Sequence, residues 1–140
     1  MKKLLCILMS TLFILAVMSP GVCLAAEEEP FEPSIPINRY TLTASITASL
    51  SISGGTAKVA GRVGSMYSGA NCSIKVTLQK KDSNGTWHGI KSWTNSGTSS
   101  TSAGGNYSVS SGSYRTCVTA TITYNGESEH PYKYSATRTC

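Results

Sequence analysis

The chain has 140 residues, twelve Lys and Arg against seven Asp and Glu, a formal net charge of +5, and 40% hydrophobic residues. A chain of this size holds one domain with a single modest core. Beyond the first eighteen residues no apolar run reaches the roughly twenty residues that a membrane-spanning helix needs.

Taken from the start, Lys2 and Lys3 precede an apolar run over residues 4–18 that ends at Ser19-Pro20-Gly21. Cys23-Leu24-Ala25 then offers small residues where a signal peptidase cuts. The apolar run, about fifteen residues, is too short for a membrane anchor. Residues 1–25 are therefore expected to be a cleaved signal peptide. The remainder is expected to be secreted, extracellular or surface-associated, with no transmembrane anchor after cleavage. Residues 26–38 contain Glu27, Glu28, Glu29 and Glu32 among Pro30, Pro33 and Pro36. An acidic, proline-rich stretch of this kind reads as a disordered tail. From residue 39 onward the balance reverses, with ten Lys and Arg against Asp82, Glu127 and Glu129.

Residues 40–52 carry the clearest signal in the chain. Tyr40, Leu42, Ala44, Ile46, Ala48, Leu50 and Ile52 alternate with Ser or Thr at every odd position. Period-2 alternation marks a strand with one buried and one solvated face. Gly54-Gly55 supplies a two-residue hairpin loop, and the return strand is apolar at Ala57, Val59 and Val63. That loop predicts Ile52 opposite Ala57, Leu50 opposite Val59 and Ile46 opposite Val63. A one-residue slip would send the apolar set to the solvent face.

After a loop around Gly69, Cys72, Ile74, Val76 and Leu78 alternate with Ser73, Lys75, Thr77 and Gln79. Asp82-Ser83-Asn84-Gly85 reads as a turn. In the following strand Trp87 and Trp93 share a parity that Ile90 lacks, so a bulge at Gly89 is expected. It would leave one Trp in the core and the other at least half exposed. Residues 94–113 are mostly Ser, Thr and Gly, which favours loops, with a short strand only around Tyr107 and Val109. Tyr114, Val118, Ala120, Ile122 and Tyr124 form a second alternating run, with Arg115, Cys117, Thr119, Thr121 and Thr123 on the other face. Asn125-Gly126 turns the chain. Glu127, Glu129 and His130 read as a solvated polar turn before Pro131 rather than a metal site. Tyr132, Tyr134 and Ala136 make a last, irregular strand.

About seven short strands and no helical period predict an all-β domain over residues 39–140. The expected architecture is a small antiparallel β-sandwich, loosely immunoglobulin-like, with a small closed β-barrel as the alternative. Export leaves Cys72, Cys117 and Cys140 where disulfides persist. A Cys117–Cys140 bridge is favoured, since both lie on the last two strands. In the chain-entropy model it would stabilise by about 3.5 kcal/mol. Cys72–Cys117 is the rival, and the odd cysteine offers a disulfide-linked dimer.

Three segments carry a resemblance. They are the run from Ala48 to Ala57; Leu78-Gln79-Lys80-Lys81 followed by Gly85-Thr86-Trp87 and Ser92-Trp93; and Tyr107-Ser108-Val109-Ser110-Ser111-Gly112 leading into Tyr114-Arg115. Together they resemble a family of small secreted proteins of Gram-positive bacteria that carry an uncharacterised β-rich domain. The resemblance implies a small exported β-domain and brings no activity or site residues with it.

For function, the inventory of chemistry is short. His88 and His130 have no nucleophile-elbow context, and Glu127 and Glu129 are too close in sequence for a glycosidase pair. No cofactor motif is present. A non-catalytic interaction module is expected, binding a cell-envelope polymer or glycan. The candidate surface is the hairpin carrying Lys75, Lys80, Lys81, Lys91, His88, Trp87 and Trp93, where an indole stacks on a sugar and cations meet anionic polymers. Two other readings remain open: a small cationic, bacteriocin-like effector, and a disulfide-linked structural or matrix protein. Nucleic acid is a poor partner for an exported chain with cations spread over both faces.

Overall fold

The computed structural model describes residues 40–140. The signal peptide and acidic tail expected over residues 1–38 lie outside the described residues. Nine strands follow in chain order: β1 (Thr43–Ser53), β2 (Thr56–Ser65), β3 (Asn71–Lys81), β4 (Trp87–Thr98), β5 (Ser100–Ser108), β6 (Ser113–Tyr124), β7 (Glu127–Glu129), β8 (Tyr132–Tyr134) and β9 (Arg138–Thr139). They form two antiparallel sheets. One has the order β1-β2-β5; the other has the order β4-β3-β6, with β7, β8 and β9 taking turns beside β6. The sheets do not close into one ladder, so the barrel alternative falls and the chain is a β-sandwich.

The first hairpin pairs as its alternation dictates: Ile52 with Ala57, Leu50 with Val59 and Ile46 with Val63. Gly54 and Gly55 hold φ of 55° and 73°, the left-handed pair that a tight hairpin of matching twist requires. The inner faces of both sheets supply the core, including Leu50, Val59, Val63, Ile74, Val76, Leu78, Val118 and Ile122.

Two expectations are corrected here. Residues 94–113 are not mainly loop: β4 runs to Thr98, and β5 pairs along β2 from Thr56–Ser108 to Gly64–Ser100. Their composition buries little by itself. The neighbouring strand, however, offers a full ladder of backbone partners, and the opposite sheet supplies the missing bulk. The Trp93 indole lies over Gly105, where an added Cβ would come within 2.6 Å of its Nε1. The second correction is Glu129, which is no solvated turn residue. Its carboxylate accepts hydrogen bonds from the amides of Thr41, Leu42 and Thr43 and from the hydroxyls of Thr41 and Thr43. The start of β1 is thereby tied to β7 of the other sheet. On the same flank Thr116 Oγ1 donates to the Ser49 carbonyl at 3.1 Å.

Tyr114, 1% exposed, opens β6 and donates its hydroxyl to the Ser110 carbonyl at 2.7 Å. This is the tyrosine corner that immunoglobulin-like sandwiches place at the same point. Pro131, which cannot donate to the ladder, separates β7 from β8; after β8 the Ser135 hydroxyl accepts from the Thr116 amide, and β9 follows.

Two predictions follow from these ties. Tyr114→Phe orphans the Ser110 carbonyl and is expected to lower stability by about 1–2 kcal/mol, read as a lower urea midpoint at unchanged slope. Burial pushes the Glu129 carboxyl up, but the hydrogen bonds from Leu42, Thr43 and Thr41 outweigh it and hold it below its ordinary value of 4.5. Its contribution is therefore complete above that pH and is lost as the pH falls through the lower folded value. Glu129→Gln should be less stable than the parent at neutral pH, and the gap should shrink on acidification. A gap that is constant with pH in urea melts would contradict this.

Candidate functional site

The pleat divides the residues of the β3–β4 hairpin. On β3, Ser73, Lys75, Thr77, Gln79 and Lys81 point away from the core, opposite in parity to buried Ile74, Val76 and Leu78. On β4 the register shifts by one between Leu78–Lys91 and Gln79–Gly89, which makes Ile90 the extra residue of a bulge. Beyond it Trp87 pairs with Lys81 and faces outward; before it Trp93 pairs with Val76 and faces the core. The bulge thus sits beside Gly89 as expected, and it separates the two indoles. The expectation that one is at least half exposed is corrected, since Arg115 and Lys81 over its ring leave Trp87 partly buried, as Trp93 is. Ile90 itself remains 37% exposed.

Of the residues nominated from sequence, Lys75, Lys81 and Trp87 share the outer face of the six-stranded sheet, Trp87 beside Lys81 and Lys75 six residues away along β3. The others do not join them. Trp93 packs against the core. Lys80 has inward parity, donating to Ser110 Oγ at 3.0 Å with its Nζ 5.4 Å from the Tyr114 ring. Lys91 pairs with Leu78 on the edge strand. His88 pairs with Lys80, and its Nε2 lies 2.7 Å from Asp82 Oδ2. Asp82 also accepts from the amides of Asn84 and Thr86, so this pair closes the β3–β4 turn. The His88 hydrogen bond, followed by the Thr86 amide, holds the Asp82 carboxyl below its ordinary value.

The outer face also carries residues that the sequence reading did not nominate. Tyr134 and Tyr132 of β8 pair with Cys117 and Thr119 of β6, hence on the polar side of that strand. The Arg115 guanidinium is held between two rings, 4.4 Å from the Trp87 centroid and 4.1 Å from that of Tyr134. Its Nε donates to Gln79 Oε1 at 2.8 Å. Tyr132 meets Tyr134 edge-on at 5.9 Å. The result is a stripe, Trp87–Arg115–Tyr134–Tyr132, crossing the sheet. Beside it lies an open trough of about 470 Å³, lined by Lys75, Thr94, Asn95, Thr119, Thr121 and His130 among others. Tyr132 and Tyr134 are 45% and 43% exposed. The two-residue loop at Asn125-Gly126 fixes the pairing of β8 as well as β7, so the same arithmetic that registers the first hairpin would have placed both tyrosines here.

The expected Cys117–Cys140 disulfide does not form: Cys72, Cys117 and Cys140 are all free. The register explains why. Cys140 bonds to Gly112, just before β6 and five residues from Cys117, which is about 17 Å at roughly 3.4 Å per residue. A bridge needs Cα atoms within about 7 Å. The rival Cys72–Cys117 fails as well, because Cys72 pairs with Ile122, five residues away in the other direction, and points into the core.

No family model matches this chain, and no curated protein matches it. Solved structures give distant likenesses. The solution structure of CsgH from R. palustris aligns at 16% identity and a TM-score of 0.40, over 63% of this chain and 88% of that one. OgpA from Akkermansia muciniphila aligns at 12% identity and a TM-score of 0.36, over 68% of this chain and 28% of that one. Spo0M, a sporulation control protein from Bacillus subtilis, aligns at 10% identity and a TM-score of 0.30, over 69% of this chain and half of that one. At these scores none carries an argument about function.

The thiols give a direct check on the register. Burial pushes the Cys72 and Cys117 thiols up; at Cys117 the Tyr134 hydroxyl and the Arg115 charge oppose it in part. The folded protein should react with iodoacetamide fastest at exposed Cys140, slowly at Cys117, and at Cys72 only on unfolding. Mass spectrometry of the non-reduced digest should find all three unbridged.

Proposed function

We propose that the chain is a secreted, non-catalytic interaction module that binds a glycan of a cell envelope or surface through the outer face of its six-stranded sheet. The observation that carries this reading is the stripe Trp87–Arg115–Tyr134–Tyr132 beside a trough of hydroxyl and amide side chains. The exposed rings of Tyr132 and Tyr134, with the partly exposed Trp87 at the other end of the stripe, offer apolar surface on which the C–H face of a sugar stacks. The Ser, Thr and Asn side chains around them supply donors and acceptors for its hydroxyls. Both sets stand on paired strands rather than on loops, so little ordering entropy is lost on binding. The His88–Asp82 pair, the one close acid–imidazole contact among the described residues, is engaged with its own turn and lies apart from the trough.

The test is retention of the purified protein on insoluble peptidoglycan, mucin and bacterial cells at low and high salt. Trp87→Ala and Tyr132→Ala should each weaken retention about tenfold, the loss of one good contact of roughly 1.4 kcal/mol. Trp93→Ala should instead lower stability by about 3 kcal/mol, since it removes a core-packed indole. Retention indifferent to Trp87 and Tyr132 would remove this face from consideration. Retention abolished by salt alone would bring forward the cationic-effector reading.

A further inference from the structure

Resting on the glycan reading above, we propose that the ligand is an acidic polysaccharide, a chain bearing sugar carboxylates, and that Arg115 is the residue that reads the carboxylate. Three observations converge on it. The first is the state of the guanidinium. Its central carbon lies over the Trp87 ring at 4.4 Å and over the Tyr134 ring at 4.1 Å, and its Nε is satisfied by Gln79. That single bond is the only hydrogen bond of the guanidinium among the described residues, and the two Nη groups remain as an in-plane fork. Such a fork is the geometry that meets a carboxylate with two parallel hydrogen bonds. Clamped between two rings, it has already given up the rotamer freedom that an exposed arginine loses on binding.

The second observation is the charge of the face. Lys75 and Lys81 share it with Arg115, and Lys75 lines the trough. The pleat keeps carboxylates off it. Glu127 and Glu129 pair with Tyr124 and Ile122, on the opposite parity, and Glu129 is bound to the start of β1. Asp82, beyond the end of β3, is engaged by His88, Asn84 and Thr86. Among the described residues these three are the only side-chain carboxylates, so the trough offers an anionic chain no repulsion from one.

The third is the arrangement of the rings. Tyr134 stacks on Arg115 with one face and meets Tyr132 edge-on, so the carboxylate site and the stacking platform adjoin within one stripe. A neutral glycan uses only the platform; an acidic peptide uses only the charge. A polyuronate uses both.

The experiment compares three probes by calorimetry on the purified full chain: a soluble polyuronate, the same polymer with its carboxyls reduced to alcohols, and poly-glutamate. The proposal expects the polyuronate to bind at least tenfold tighter than either of the others. Arg115→Gln should bring the polyuronate down to the level of its reduced form, and Lys75→Gln should weaken it by a smaller factor. Trp87→Ala should weaken both glycans. Equal affinity for the polyuronate and its reduced form would overturn the acidic-chain inference while leaving the glycan reading in place. Equal affinity for poly-glutamate and the polyuronate would overturn both; binding to none of the three would overturn the acidic-chain inference alone, because the glycan reading stands or falls on peptidoglycan and mucin. Should Arg115→Gln lower the melting temperature, the Lys75→Gln variant, altering an exposed side chain, still decides whether the face reads charge.

Discussion

One extra residue in β4 decides the character of both faces of the larger sheet. Ile90 is unmatched across from the Leu78–Gln79 step, and the strand beyond it is turned over relative to the strand before it. Without that bulge Trp87 and Trp93 would point the same way, and one of them would be misplaced: two indoles in the small core would overpack it, and two outside would leave Gly105 uncovered. With it, Trp93 fills the space that β5 leaves empty, and Trp87 is free to clamp Arg115. The exposed Ile90 is the local cost of this arrangement, and it falls on an edge strand where a bulge also discourages pairing with another chain.

The core is thin for a sandwich of this size, and the flanks are secured by polar ties where apolar area is scarce. Glu129 gathers three amides and two hydroxyls at the start of β1, Thr116 donates across to Ser49, and Tyr114 fixes the turn into β6. The Glu129 and Thr116 ties join segments far apart in sequence, the Tyr114 tie is local, and all three satisfy backbone groups that the ladders leave over. The molecule therefore needs no disulfide to hold its sheets together, and its cysteines fall wherever the pleat puts them: one in the core, one on the outer face, one at the chain end.

The proposed binding face depends on the same economy. β8 adds only three residues to the sheet, but it adds them beside the polar side of β6, so that Tyr132 and Tyr134 stand over Thr119 and Cys117. Aromatics on an outer face have no core to fill. Here they bracket a guanidinium and border a hydroxyl-lined trough, and the acidic side chains of the neighbouring strand lie on the opposite parity.

The alternation of residues 46–63 was enough by itself to give the hairpin, its register and its buried face, because a period of two admits only one pairing that keeps both apolar sets together. At the start of β1 it misled, since the register shifts between Thr43 and Ser45, burying Thr43 and exposing Ala44. The same logic yields the inner faces of β3 and β6, and hence the fold class. The strands of the Ser- and Gly-rich segment were hidden, since β5 has no apolar pattern and exists because β2 presents a ladder and Trp93 covers its glycine. Glu129 looked like a solvated residue because its five donors lie more than eighty positions away. Which indole faces outward, and what it touches there, needed the bulge, Arg115 and β8 in one frame. Local periodicity fixes which way a side chain points within its own strand; only the packing of distant strands decides what it meets.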